Sequence, residues 1–383
     1  MAKQSLRTLS VAHSGVTRDA GRLRYQFLEE FEGLDTHLLV PRVWHEYGRV
    51  ISADNPDDPG ITVHIEPILL PKVGPINWYL HFYPGLRRLI KKIDPDVIHL
   101  WEEPWSLVAL QACLLRGNAS LVLEVDQNIL KRLPPPFETI RRFVLSRTSH
   151  VLSRHPDASE VVRAVGYTGP ITLIGYGVDQ TTFYPTDRPQ RLSTNKELRL
   201  GYVGRIAEEK GLDDVLDAMK LSNEGVTLSI MGDGSYEAAL RERIARLGME
   251  RRVIFHSRAG ASDVARFLQG IDVLVLMSRT TKSWREQFGR VIIEAQACGV
   301  PVVGSASGSI PNVVGNGGWI VPERNPGALS NLLASLMSLP GELPAKRAAA
   351  IENVEKRFTF GRIARTLADV WIDAAGTRQG VHY

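Results

Sequence analysis

The chain has only two cysteines in 383 residues, Cys113 and Cys298, each in an apolar context. Two distant thiols make no disulfide framework and no metal-ligand spacing, and both read as buried side chains. The segment "MAKQSLRTLSVAHSG" has neither the apolar stretch nor the cleavage site of a secretory leader. No apolar run reaches the roughly 18 residues of a spanning helix. These absences lead us to expect a cytoplasmic protein. There is also no dense basic patch with a reading motif, so we expect no nucleic-acid partner. The excess of four positive charges suits an anionic ligand without proving one. No Asp-x-Asp motif follows a strand in the second half, and no metal site is expected.

The length points to two domains. Short β-rich runs alternate with amphipathic segments through the first half. The runs are "TLSVAH", "THLLVP", "TVHIEPIL", "DVIHLWE", "SLVLEVD", "HVLSRH" and "ITLIGYG". Helices are expected over 19–31, 84–93, 105–115, 137–147 and 157–165. A break follows at "YPTDRPQRLSTNKE" (184–197), with two prolines and no apolar period. Alternation then restarts with "LRLGYVG", "VTLSIMG", "RVIFHS", "DVLVLMS", "PVVGS" and "GWIVP". Helices are expected over 212–219, 236–247, 262–269, 289–298 and 326–339. Strand–helix alternation implies parallel sheets covered on both faces. The expected fold is α/β, with two doubly wound Rossmann-like domains facing each other across a cleft. Ligands in such domains bind at the C-terminal strand edges.

Three strand-end loops of the second half carry candidate chemistry. "GYVGRIAEEKG" sets Arg205 after a strand and Lys210 before a helix. Two cations there suit a diphosphate, but also a solvated turn. "MGDGSYEAAL" offers Gly232 and Gly234 without the third glycine of a dinucleotide fingerprint. It reads as a tight turn that lets a ligand approach the backbone. "SWREQFGRVIIEAQACGVPVVG" places Glu286 before a helix and Glu294 two turns into it. Seven intervening residues put them about 12 Å or more apart along a helix axis. That is too far for two carboxylates sharing a proton. It suits two ends of one elongated ligand, with a diphosphate at the helix N-terminus and Gly289 keeping the approach open. Two surface glutamates remain the plain alternative.

Taken together, "GRIAEEKG", "EQFGRVIIE" and "EAQACGVPVVGSASGSIPNVV" resemble the motifs of retaining glycosyltransferases of family 4, which have the GT-B fold. "YGVDQTTFYP" and "RFTFGRIARTLADVW" resemble further segments of that family. The resemblance is strong over 198–325 and weaker over the first half. It implies an N-terminal acceptor-side domain of residues 1–183 plus 360–383, the last helix crossing back, and a nucleotide-sugar domain of 184–359. It implies metal-independent transfer from a nucleotide-diphosphate sugar to a hydroxyl, with no cofactor. Arg205, Lys210 and Glu286 would be catalytic. Gly15, Gly204, Arg258, Gln287, Phe288, Gly289, Arg290 and Glu294 would bind the donor. A sugar-nucleotide epimerase and an inactive nucleotide-sugar binder stay as alternatives.

The first half departs from that family. A single glycine, Gly15, stands where a glycine-rich loop is usual, and "LVLEVDQNILKR" lacks the family's histidine. Asp126 could orient an acceptor hydroxyl or cap the next segment, with Asn128 beside it. "HLWEEPWS" offers Glu102 and Glu103 with Trp101 and Trp105 as a carbohydrate platform, or as core tryptophans beside a polar turn. His13 and His99 read as structural. In "VGPINWYLHFYPGLRRLIKKIDP" aromatics precede cations. This suits peripheral contact with the inner face of an anionic membrane, or a core cluster beside a solvated basic face. The expected partners are a nucleotide sugar and a carbohydrate or lipid-linked acceptor.

Overall fold

The structure, a computed structural model, describes residues 5–46, 49–70, 77–186, 197–222, 224–339 and 341–376. The chain divides into two compact units, Met1–Tyr176 with Phe360–Tyr383, and Gly177–Thr359. In the first unit the strands are β1 (Leu6–Val11), β2 (Leu34–Pro41), β3 (Val43–Glu46), β4 (Arg49–Ser52), β5 (Thr62–Glu66), β6 (Val97–Leu100), β7 (Ser120–Val125), β8 (His150–Ser153) and β9 (Ile171–Leu173). In the second they are β10 (Leu198–Val203), β11 (Val226–Met231), β12 (Val253–His256), β13 (Val273–Leu276), β14 (Val302–Ser305) and β15 (Gly318–Val321).

Both main sheets are wholly parallel, and each is doubly wound. The first runs β5-β2-β1-β6-β7-β8-β9, so its order reverses between β1 and β6. The second runs β12-β11-β10-β13-β14-β15 and reverses between β10 and β13. At such a reversal neighbouring loops diverge and leave a crevice for a ligand. The strands are short apolar runs because helices cover both faces. Every residue of "SLVLEV", "VLVL" and "VVGS" is buried.

Helices α1–α6 of the first unit are Leu23–Gln26, Asn77–Leu80, Leu86–Ile93, Leu107–Leu115, Phe137–Ser146 and Pro156–Ala164. Helices α7–α13 of the second are Leu212–Leu221, Glu237–Leu247, Ala261–Leu268, Arg290–Ala297, Ile310–Val314, Pro326–Ser338 and Glu342–Arg357. The last helix, α14 (Phe360–Gly376), belongs to the first unit. It buries Ile363, Leu367 and Trp371 with Leu38, Val122 and Leu152. Ser120 Oγ donates to its Ala374 carbonyl at 2.7 Å.

Several expectations need correction. Residues 177–183 group with the second unit, not the first, because Val178 N–H donates to Phe358 carbonyl at 2.8 Å. The single helix expected over 19–31 is broken into a π-helical turn (Arg18–Arg22), α1 and a 3-10 turn (Phe27–Glu30). Gly21 sits so close to the chain that a Cβ there would lie 2.5 Å from Ser14 carbonyl oxygen. The β3–β4 hairpin, α11 and α13 carry no signal that we read in the sequence. The expected linker lies mostly outside the described residues, as do residues 73–76 of the aromatic-basic stretch. Within the rest of that stretch, α3 buries Leu86, Leu89, Ile90 and Ile93 and exposes Arg87, Arg88, Lys91 and Lys92.

The turn glycines of the second unit serve the fold. Gly232 has φ +148°, and a Cβ on it would lie 1.9 Å from Gly204 carbonyl oxygen. A Cβ on Gly234 would lie 2.0 Å from Ile206 carbonyl oxygen. The space these glycines leave is filled by the chain's own backbone, not open to a ligand. Gly232→Ala is expected to lower stability by roughly 2–4 kcal/mol, from the strained φ and the clash together. Urea denaturation checks this, and an unchanged midpoint would contradict the packing role.

Candidate active site

The second unit's reversal is flanked by the loops after β10 and β13, and these loops are tied together. Gly211, at φ +67°, lies so close to β13 that a Cβ would meet Met277 carbonyl oxygen at 2.0 Å. Arg279 N–H donates to Glu209 carbonyl at 2.7 Å. The Arg279 guanidinium grips both Asp214 oxygens at 2.7 and 2.8 Å. This brings Lys210 to Glu286, 76 residues away in the chain. Lys210 Nζ donates to Glu286 Oε2 at 2.7 Å, and Ser278 Oγ donates to the same oxygen at 2.8 Å. Glu286 is 8% exposed. Its backbone is held as well: Ser309 N–H donates to its carbonyl at 3.2 Å. Trp284 lies under the ammonium, with its ring centroid 4.7 Å from Nζ.

Arg205 stands apart from that pair. It is exposed and donates to Glu209 Oε1 at 2.7 Å. Gly204 gives its N–H to Met231 carbonyl at 3.0 Å, so that group is spent within the sheet rather than offered to a donor. Arg258 is exposed two residues beyond β12.

Helix α10 starts after Gly289, whose φ of +76° makes the entry turn. A Cβ there would lie 2.9 Å from Ile292 Cδ1 and Leu276 Cδ2. Glycine is therefore needed for the core packing beneath the turn, not to keep an approach open. No side chain caps the N-terminus of this eight-residue helix. Phe288 is buried edge-on against Phe358 at 5.7 Å, which makes it a core residue rather than a donor contact. Gln287 and Arg290 are exposed. Glu294 is half-buried, and burial pushes its carboxyl above the usual range, against the pull of Arg290. Cys298 below it is buried, and burial pushes its thiol up to about 12.

At the reversal of the first unit, His13 follows β1 and Glu102 follows β6. Gly15 lies between β1 and the π-helical turn, but its N–H donates to Ala12 carbonyl at 3.2 Å. A Cβ on it would meet Val40 Cγ1 at 3.1 Å, so this glycine faces the core rather than a phosphate. Trp105 is 7% exposed and packs near Tyr79, with ring centroids 6.2 Å apart; it offers no sugar platform. Glu103 Oε1 accepts the N–H groups of Asp126 and Gln127 at 2.9 Å each. Burial raises its carboxyl to about 8. Glu103 thus shapes its own loops. Asp126 Oδ2 accepts from Tyr176 hydroxyl at 2.7 Å, and His155 Nε2 lies 3.0 Å from Asp126 carbonyl oxygen. Asn128 is 3% exposed. The four acceptor candidates are half-buried or buried, and the protein itself engages all four.

Two side-chain clusters were not read as clusters in the sequence, although His13 and His99 read as structural and Glu102 as part of a platform. Glu124, inside β7, accepts from Arg24 at 2.8 Å, pairs with Arg154 and lies 3.1 Å from His99 Nε2. A carboxylate in an otherwise apolar buried strand was the available signal, since it requires cationic partners. His13, His81 and Glu102 form the group of three potential metal ligands found among the described residues. His99, bonded to Ser10 Oγ at 2.6 Å, is structural as expected.

Comparison with known proteins places this geometry in a family. Residues 24–182 match Glycosyltransferase Family 4, and residues 183–357 match Glycosyl transferases group 1. The chain is 30% identical to a D-inositol 3-phosphate glycosyltransferase of Xylanimonas cellulosilytica, over 60% of this chain and 57% of that protein. It is 31% identical to D-inositol 3-phosphate glycosyltransferase 2 of Catenulispora acidiphila, over 75% of this chain and 71% of that protein. The fold is similar to that of Anabaena HepE in complex with UDP and glucose. The TM-score is 0.68 at 19% identity, covering 96% of this chain and all of that one. Matched across both halves, the chain belongs to glycosyltransferase family 4, and its two Rossmann-like units are those of the GT-B fold.

Proposed function

We propose that the protein is a retaining glycosyltransferase. It moves a sugar from a nucleoside-diphosphate sugar to a hydroxyl of a carbohydrate or lipid-linked acceptor. The observation that carries this reading is the Lys210–Glu286 pair, in the loops flanking the second unit's reversal, near the uncapped start of α10. A diphosphate would draw the Lys210 ammonium from Glu286, and the N–H groups of α10 would face the phosphate oxygens. Arg205, exposed and paired with Glu209 at 2.7 Å, would join them. Glu286 would then accept hydroxyls of the sugar, and Glu294 those of the ribose.

In the transfer, the bond from the sugar's anomeric carbon to the β-phosphate oxygen breaks. A bond from the acceptor oxygen forms on the same face, and the acceptor proton passes to the departing phosphate. Lys210, Arg205 and the helix N-terminus stabilise the charge that develops on that phosphate, a task metals perform elsewhere. The relatives' names support glycosyl transfer, and the UDP and glucose in HepE support a nucleotide-sugar donor.

Among the described residues no helix is long and apolar enough to cross a membrane. The proposal includes action in the cytoplasm, at the inner membrane face when the acceptor is lipid-linked. The exposed Arg87, Arg88, Lys91 and Lys92 of α3 support such a surface.

A thermal-shift screen of UDP, GDP and ADP tests the binding step, since a ligand of the folded state raises the midpoint. Donor consumption with purified protein tests transfer. Binding of the preferred nucleotide is expected to be unchanged in excess EDTA, because cations of the chain face the diphosphate. Affinity lost in EDTA and restored by magnesium would contradict that assignment.

A further inference from the structure

We propose that His13, His81 and Glu102 form a binding site for a divalent transition-metal ion of the zinc type. The three side chains come from separate segments: the ends of β1 and β6, and the turn after α2. One ligand atom from each lies within 4.8 Å of the others.

His81 carries the argument. It is fully buried, and its Nδ1 lies 2.8 Å from Asn77 carbonyl oxygen. A carbonyl can only accept, so Nδ1 bears the proton. The neutral ring then has its lone pair on Nε2. That atom has no hydrogen-bond partner and lies 3.6 Å from Glu102 Oε1. A lone pair facing a buried carboxylate is unfavourable unless a cation lies between them. A bridging proton would draw the pair to about 2.7–2.9 Å. Two ligands about 2.1 Å from one tetrahedral ion lie about 3.4 Å apart, close to the separation seen.

The surroundings fit the same role. Asn77 carbonyl orients His81, and His13 N–H donates to Glu102 Oε1 at 2.9 Å, as outer partners of metal ligands do. Trp44, 1% exposed, walls the group, with ring centroids 4.6 Å from His13 and 5.0 Å from His81. His13 is half-buried, and its Nδ1 lies 2.7 Å from Glu102 Oε2. It would withdraw by about 0.7 Å to reach ligand spacing. Two imidazoles and one carboxylate suit zinc or cobalt, whereas magnesium and calcium take all-oxygen sets. Three protein ligands leave the fourth position to a solvent or substrate oxygen. The site stands at the reversal between β1 and β6. It is independent of the diphosphate assignment in the second unit.

Chelator-stripped full-length chain without a histidine tag is titrated with cobalt(II) and followed by visible absorption. One cobalt per chain is expected, with bands of a tetrahedral or five-coordinate ion that zinc abolishes and magnesium leaves unchanged. His81→Gln and His13→Gln should each weaken binding at least ~100-fold. Retained nucleotide binding and an intact thermal transition identify folded variants. If the buried His81 variant does not fold, the half-buried His13 variant decides. Absence of stoichiometric cobalt binding in the wild-type chain would overturn the proposal, as would an unchanged affinity in a folded variant.

Discussion

Lys210→Ala lowers turnover at least ~100-fold at saturating donor, with the fold retained. The expectation follows from what the ammonium touches. Its partner in the free protein is Glu286 Oε2 at 2.7 Å, and only 14% of the Lys210 side chain is exposed. A charge in so sheltered a place interacts more strongly than one in water. If it moves to the diphosphate, it stabilises the charge of the departing phosphate and costs no reorganisation of solvent. Loss of one such contact is worth about 3 kcal/mol in the barrier, or about two orders of magnitude in rate. Arg205→Ala should cost less, because that side chain is 61% exposed and paired with Glu209. The single substitution at Lys210 also leaves Glu286 buried without its cation. The double variant Lys210→Ala/Glu286→Gln isolates the stability effect: thermal denaturation should show it recovering the stability lost when the carboxylate is left without its cation. Near-normal turnover in a folded Lys210→Ala protein would remove Lys210 from the mechanism.

The alternation of apolar runs and amphipathic segments made both doubly wound units legible, because parallel strands buried on both faces must be continuous in apolar residues. Lys210 and Glu286 were each readable as strand-end residues. Their pairing was not, since it depends on contacts between segments 76 residues apart. Gly211 against Met277 and Arg279 on Asp214 create that contact. The glycines show the same limit from the other side. A glycine in a sequence marks a need for space or for an unusual φ, but not what occupies the space. At Gly15, Gly232 and Gly289 the occupant is the protein's own core or backbone. Of the two readings of Trp105 and Glu103, the sugar platform fails for a related reason, and the buried tryptophan beside a polar turn is what the structure has. An aromatic beside a carboxylate after a strand has the composition of a sugar site. Here the ring is buried, and the carboxylate is taken by two backbone N–H groups. His81 gave no sequence signal, because its meaning comes from the Asn77 carbonyl that fixes its tautomer.

The two glutamates that bracket the entry to α10 should fail in different ways. Glu286→Gln keeps the shape of the side chain and a hydrogen-bonding group for Ser278, but frees Lys210 from its ion pair. Nucleoside diphosphate affinity should therefore be unchanged or rise by up to about tenfold, since phosphate no longer competes with a carboxylate for the ammonium. Turnover should fall at least ~100-fold, because contacts to the sugar that matter in the transition state are lost. Glu294→Gln should do the reverse: weaken nucleoside diphosphate binding about tenfold or more, with a smaller effect on turnover at saturation. Ribose contacts are alike in ground and transition states, so their loss appears in binding. The raised pKa of Glu294 adds a second signature. An ionised carboxylate is the better acceptor for ribose hydroxyls. Wild-type affinity should therefore fall as pH drops through that raised value, above the range of an ordinary carboxylate, and Glu294→Gln should flatten the dependence. Calorimetry with the nucleoside diphosphate across pH, beside initial rates with the nucleotide sugar, reads both effects. If Glu286→Gln abolishes diphosphate binding in a folded protein, or Glu294→Gln leaves it untouched at every pH, the two carboxylates do not hold opposite ends of one donor.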